Sequence, residues 1–211
     1  MVQLYVLDIS RFPDPKEKPE LLENLSVDRG LRIKNIKDSV KRRQCLGAGI
    51  LLGKVLGIYE KDIEDVQIGE QGKPEVDGLC FNLSHSGNIV ICAVSSKPIG
   101  CDIEKLKEAS NRIAKRYWST PEIQHLNAFE GEAYHREFFR LWTIRESYVK
   151  MTGEGLCIPK GSLEIIVDEE IQIFRNGKKE ICHISEIMIR DYVISICSEE
   201  SGPVEIKWEN I

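Results

Sequence analysis

Apolar residues come first in a short run, then at helical spacing, then in short runs again, and these changes of period are the first guide to the fold. Val2 to Ile9 makes a β-rich opening, and the proline- and charge-rich stretch from Phe12 to Glu20 reads as a surface loop. From Asp38 to Leu56 the residues Val40, Cys45, Leu46, Ile50, Leu51, Val55 and Leu56 recur at helical spacing and Gly57 follows as a stop, which predicts a long helix. Phe81 to Leu83, Ile89 to Val94 and Ile99 to Ile103 are short apolar runs parted by Ser-Gly and Lys-Pro turns, which predicts a small three-stranded antiparallel meander.

The second half repeats the sequence of periods. Ser119 and Thr120 precede Pro121 and Glu122 with a Ser-x-x-Glu spacing, a helix-start signature. Glu132 to Met151 carries Tyr134, Phe138, Leu141, Arg145 and Val149 along one stripe and His135, Phe139, Trp142, Glu146 and Lys150 along another, before Gly153 and Gly155. Leu163 to Val167, Ile171 to Phe174, Ile181 to Ile189, Tyr192 to Cys197 and Val204 to Trp208 read as strands. A helix followed by a meander occurs twice, and NIVICAVSSKPIGCDIE faintly matches DYVISICSEESGPVEIK. The expectation is an α+β protein of two pseudo-twofold duplicated halves, residues 1–105 and 106–211, with a ligand cleft between them.

Composition narrows the function. With 211 residues, 42% of them hydrophobic, the chain can bury one good core or two small ones. A net charge of -5 supplies no positive field for a nucleic acid or an anionic membrane, so neither partner is expected. The most apolar stretch, Cys45 to Ile58, is interrupted by Gly47, Gly49, Gly53 and Lys54 and falls short of the about 20 residues of a membrane helix. MVQLYVLDIS has no basic region ahead of an apolar one, so a cytoplasmic location is expected. The seven cysteines lack any CxxC pair and sit mostly in apolar runs, as small buried hydrophobes in a reducing compartment would.

Four constellations carry chemistry. Asp102 and Glu104 form an Asp-x-Glu on a predicted strand, where alternation sends both carboxylates to one face; the pair can grip a hard cation, though taken alone a solvated acidic face is the commoner meaning. Glu146 and Lys150 are one helical turn apart, which suits an ordinary surface ion pair as well as a site, though Trp142 before them and Gly153-Glu154-Gly155 after them leave backbone room. Asn82-Leu83-Ser84-His85-Ser86-Gly87 is a polar turn suited to phosphate oxygens or to a capped hairpin. Arg29, Arg32, Lys34, Lys37, Lys41, Arg42 and Arg43, with Gly72-Lys73-Pro74 further on, form a basic stretch that fits a compact polyanion or a solvated helix face.

In this order, GKP, FNLSHSG, IGCDIE and LWTIRESYVKMTGEGL, over about Arg29 to Leu156, resemble the Sfp-type 4'-phosphopantetheinyl transferases, whose pattern is GKP, (F/N)xSHS, (V/I)GxDxE and WxxKE(S/A)xxK. Two positions depart from it: Arg145 stands where the family usually has lysine, and Cys101 where it has an aliphatic residue. The resemblance implies a magnesium-dependent transfer of the phosphopantetheine group of coenzyme A to a serine of an apo carrier protein, peptidyl, polyketide or acyl. It implies that Asp102, Glu104 and Glu146 hold Mg2+. It implies that Lys73, Pro74, Ser84, His85, Lys107 and Lys150, with Arg43 and more loosely Arg29 and Arg32, bind coenzyme A, and that Glu146, Lys150 and His85 act in catalysis. It further implies a monomer whose two halves replace a subunit interface, and a carrier-docking segment between Ser119 and Arg136 that includes Phe129 and Tyr134. A magnesium-dependent nucleotide pyrophosphohydrolase and a non-catalytic coenzyme A-binding module are the alternatives; the acids and Lys150 together argue against the second.

Overall fold

The computed structural model describes residues 1–23, 25–69, 71–155, 158–159 and 161–210, with the side chains of 111, 112 and 115 outside that description. The first-half elements are β1 (Val2–Asp8), α1 (Val27–Asn35), α2 (Ser39–Ile58), β2 (Gln67–Ile68), β3 (Pro74–Glu75), β4 (Cys80–Ser86), β5 (Ile89–Ser95) and β6 (Ile99–Lys105). There follow α3 (Asn111–Tyr117), α4 (Thr120–Leu126), α5 (Gly131–Thr152), β7 (Leu163–Val167), β8 (Ile171–Arg175), β9 (Lys178–Lys179), β10 (His183–Ile189), β11 (Tyr192–Ser198) and β12 (Val204–Glu209).

The long helices start and stop where local chemistry dictates. The Asp38 carboxylate accepts the Lys41 N–H at 2.8 Å and caps α2. Gly153, at φ 75, ends α5 in the left-handed conformation that glycine adopts without penalty. Ser119 and Glu122 cap α4 reciprocally: Glu122 Oε2 accepts the Ser119 N–H at 2.6 Å and Ser119 Oγ accepts the Glu122 N–H at 3.4 Å. The helices α1 and α3 and the two-residue strands β2, β3 and β9 go beyond what periodicity predicted, and the strand expected from Ile181 begins at His183.

Two sheets stack between the two long helices. One has the order β12-β1-β5-β4 and the other β10-β11-β6, with the small groups β2-β3 and β7-β8-β9 outside them. Along β5, Val90, Cys92 and Val94 face α2, while Ile89, Ile91 and Ala93 face the second sheet and meet Ile99, Cys101, Ile103, Ile194 and Ile196. On the far side Val193 and Cys197 of β11 pack with Phe138, Leu141, Ile144 and Tyr148 of α5. The α+β class stands.

The three-stranded meander requires correction. β4 and β5 form an antiparallel hairpin, but β6 leaves it and pairs with β11, placing Asp102 opposite Ser195 and Glu104 opposite Val193. The crossing is held at Pro98, whose carbonyl accepts from Ser198 Oγ and from the Glu199 N–H, both at 3.2 Å. β12 makes the reciprocal crossing and lies parallel to β1. Hydrophobic runs identify a buried strand but not its neighbour, and β6 is buried on both faces.

Cys45, Cys92, Cys101 and Cys197 are buried, Cys80 and Cys182 half-buried, and all six are free thiols; Cys157, like Leu156 at the end of the last motif, lies outside the described residues. Among the described residues, no helix is long and apolar enough to cross a membrane.

Candidate active site

The site is built where β6 meets α5. Because Ile99, Cys101 and Ile103 point into the core between the sheets, Gly100 and Asp102 turn toward α5. A Cβ on Gly100 would lie 2.1 Å from the Ser147 carbonyl oxygen and 2.3 Å from the Met151 nitrogen, so strand and helix touch backbone to backbone and only glycine fits. That approach brings Asp102 against Lys150, whose Nζ donates to Asp102 Oδ1 at 2.6 Å, to Ser84 Oγ at 2.9 Å and to the Cys101 carbonyl at 3.2 Å. The partner of Lys150 is therefore a carboxylate from β6, not the Glu146 one turn before it on the helix.

Glu146 is buried beside this pair, and its environment disfavours its charge. Burial and then the Asp102 charge push its pKa up to about 7, with a smaller push from Glu104 and an opposing pull from Lys150 and Arg145. Burial and then Asp102 also raise Glu104, against the pull of Lys107, Ser86 and Lys150. For Lys150, burial alone would lower the pKa, but Asp102, Cys101 and Glu146 raise it on balance. Two carboxylate oxygens, Asp102 Oδ2 and Glu146 Oε1, are buried without a hydrogen-bond partner, a costly arrangement for an oxygen that carries charge. Among the described residues, no three His, Cys, Asp or Glu side chains gather into a ready-made metal cluster.

Two cavities sharing Gly72 collect most of the other expected residues. Lys73, Pro74, Glu146 and Lys150 line one of about 330 Å³, with Asn82 and Gly153. Burial holds the Lys73 ammonium below its ordinary pKa, and its Nζ donates to the Met151 carbonyl at 3.4 Å. Arg29 and Arg32 line the second, about 430 Å³, together with Val27, Leu52 and Ile63. His85 stands on β4; burial, then the charges of Lys150 and Arg32, hold its imidazole below the ordinary value. Lys107 reaches Glu104 at 3.8 Å and lies over the Phe139 ring. Arg43 is half-buried on α2 and lines neither cavity.

Ser84 and Ser86 do more than the motifs assign to them, and two further residues lie outside the motifs. Ser84 Oγ donates to Asp102 Oδ1 at 2.9 Å and Ser86 Oγ to Glu104 Oε2 at 3.0 Å, so the polar turn grips the acids directly. Tyr192 accepts the Asn88 N–H at 3.0 Å, and Gln44 donates to the Gly87 carbonyl at 3.0 Å; together they clamp the end of the β4-β5 hairpin. The period-2 polar series Asn82, Ser84, Ser86 was the available signal for the serines. Nothing in the sequence pointed to Tyr192 or Gln44.

The model of the 4'-phosphopantetheinyl transferase superfamily matches residues 98–197, which run from just before β6 through β11. The 4'-phosphopantetheinyl transferase Sfp of Bacillus subtilis is 31% identical over 93% of this chain and 92% of that protein. This chain belongs to the 4'-phosphopantetheinyl transferase superfamily. The 4'-phosphopantetheinyl transferase gsp of Aneurinibacillus migulanus is 34% identical over 80% of this chain and 72% of that one, and HetI of Nostoc sp. is 38% identical over 56% and 54%. The protein is accordingly an enzyme, a phosphopantetheinyl transferase that uses coenzyme A to modify carrier proteins. Within this transferase Arg145 is turned away from the acids: its Nη2 donates to Glu122 Oε1 at 2.5 Å, to Oε2 at 2.8 Å and to the Leu163 carbonyl at 3.2 Å.

Proposed function

We propose that this transferase holds a magnesium ion on Asp102, Glu104 and Glu146 and moves phosphopantetheine from coenzyme A to a serine hydroxyl of an apo carrier protein, releasing 3',5'-ADP. The observation that carries the reading is the pair of buried, unpartnered oxygens, Asp102 Oδ2 and Glu146 Oε1, next to a lysine already bonded to Asp102. All-oxygen ligands of this kind suit a hard cation. When bound, magnesium supplies charge neutralisation to the pyrophosphate.

The chain's own residues then divide the work. Lys73, Lys107 and Lys150, with Arg29, Arg32 and Arg43, meet the phosphates of coenzyme A, and Pro74 packs beside them. His85 meets a phosphate oxygen through its imidazole. Ser84, whose hydroxyl is engaged by Asp102 and Lys150, serves the phosphate site through that lysine. Glu146 takes the proton of the acceptor serine as its oxygen attacks the phosphorus that carries pantetheine. The bond to 3',5'-ADP breaks, and Lys150 stabilises the departing phosphate oxygen. Most of the catalysis is positioning and electrostatics.

In this reading the enzyme works as a cytoplasmic monomer. Residues 1–105 and 106–211 form its two halves, and the crossing of β6 and β12 ties them together. The carrier docks between Ser119 and Arg136, where Ile123 is exposed and Phe129 half-buried. Incubation with coenzyme A, magnesium and a panel of apo carrier proteins tests the reading by mass spectrometry. A phosphopantetheine mass gain that a chelator abolishes is expected. Cleavage of coenzyme A without any acceptor would make the protein a pyrophosphohydrolase, and binding without turnover would make it a binding module.

A further inference from the structure

β6 is hydrogen-bonded to β11 on one side only, so its other edge presents backbone N–H groups that need partners. β4 meets them with side chains instead of carbonyls. Asn82 Oδ1 accepts from Cys101 N–H at 3.0 Å, Ser84 Oγ from Ile103 N–H at 3.4 Å and Ser86 Oγ from Lys105 N–H at 3.0 Å. The three acceptors stand two residues apart on β4 and the three donors two residues apart on β6, so the strand period sets the match.

A serine hydroxyl that accepts from the backbone still has a proton to give. Ser84 gives it to Asp102 and Ser86 to Glu104, so each serine fixes one carboxylate and the backbone N–H just after it. The two acids are not equally supported. Asp102 has Lys150 at 2.6 Å as well, whereas the nearest cation to Glu104 is Lys107 at 3.8 Å, on a side chain that is 65% exposed.

We infer that Ser86 is a positioning residue: by holding Glu104 beside Asp102 it keeps the acid pair of β6 set for a divalent cation. Ser86 acts through Glu104 and not on coenzyme A. Without the hydroxyl, Glu104 follows Lys107 outward and the cation loses an oriented ligand. The inference rests on the magnesium site proposed above.

Manganese(II) alone, added to the coenzyme A-free enzyme and followed by the electron paramagnetic resonance of the free ion, tests it. Ser86→Ala should weaken manganese binding about tenfold. Ser86→Thr, which keeps the hydroxyl on a residue that suits a strand, should stay within about twofold of the parent. In carrier labelling, the magnesium concentration for half-maximal rate should rise for Ser86→Ala while kcat at saturating magnesium recovers. In EDTA Ser86→Thr should melt near the parent and Ser86→Ala only slightly below it, since the Lys105 N–H that it leaves is exposed to water. A parent that binds no manganese overturns the metal reading and this inference with it. A parent that binds, with Ser86→Ala binding equally well or with the two variants equally impaired, overturns the inference alone.

Discussion

Two ion pairs are anchored on α5, one buried on both sides and one whose lysine is half-buried, and they are built to different ends. Glu122, 1% exposed, has both oxygens bonded to Arg145 and one also to the Ser119 N–H, while the guanidinium lies over the Trp118 ring at 5.2 Å. This pair joins α4, α5 and β7; both carboxylate oxygens are bonded, and its one buried group without a partner is a donor, Arg145 Nε. Asp102 is also paired, with Lys150, but its second oxygen and one oxygen of the adjacent Glu146 are buried unbonded. Burying a charge is offset only when its remaining bonds are made. The pair with the closed carboxylate is structural, and the open one keeps unmet acceptor oxygens that a substrate or cation can satisfy.

The comparison can be broken most directly at Glu146. Glu146→Gln should lower kcat for carrier labelling by about 10²- to 10⁴-fold, the usual range for general acid-base help. Near-normal labelling would remove Glu146 from the chemistry and with it the reason for its unmet demand.

Next in size is the closed pair. Glu122→Ala leaves a buried guanidinium unpaired and should cost about 3–5 kcal/mol of stability in urea unfolding. A loss below about 1 kcal/mol would show that the pair does not hold α4 to α5.

The open site should show the opposite sign. The folded pKa of Glu146 lies near 7, above its ordinary 4.5, so its ionisation works against the fold between those values. In EDTA, Glu146→Gln should therefore be more stable than the parent, by on the order of 3 kcal/mol above pH 7, with the advantage fading to nothing below about pH 4.5. Equal melting temperatures at pH 8 would refute this. The smallest effect is expected for Arg145→Lys, which keeps the charge but loses the planar fork over Trp118: about 1–2 kcal/mol of stability, with kcat little changed. A collapse of kcat in this variant would place Arg145 in the site after all.

Much of this was readable from the residues in line. The Ser119-Glu122 spacing predicted the α4 cap, the helical spacing predicted α2 and α5, and alternation put Asp102 and Glu104 in register on one strand. Other features were not legible, for a common reason. The basic run from Arg29 to Arg43 read as a polyanion site or a solvated helix face, and neither describes Arg42, which is turned inward, bonded to Asp14 and to the carbonyls of Ile36 at 2.9 Å and Lys37 at 2.6 Å. Arg145 and Glu146 are adjacent in sequence, yet the helix sends one to Glu122 and the other to the acids of β6.

Residue order alone yielded the two long helices, the longer strands, the family motifs and the identity of the acids, because period, caps and turn residues act over only a few positions. Tertiary structure alone decided that β6 joins β11 instead of β5, that Lys150 pairs with Asp102 instead of Glu146, and that the hydroxyls of Ser84 and Ser86 close on two carboxylates. Those choices depend on which buried surfaces meet across the sandwich and on a backbone contact that Gly100 alone permits, and neither is a property of any short stretch of chain.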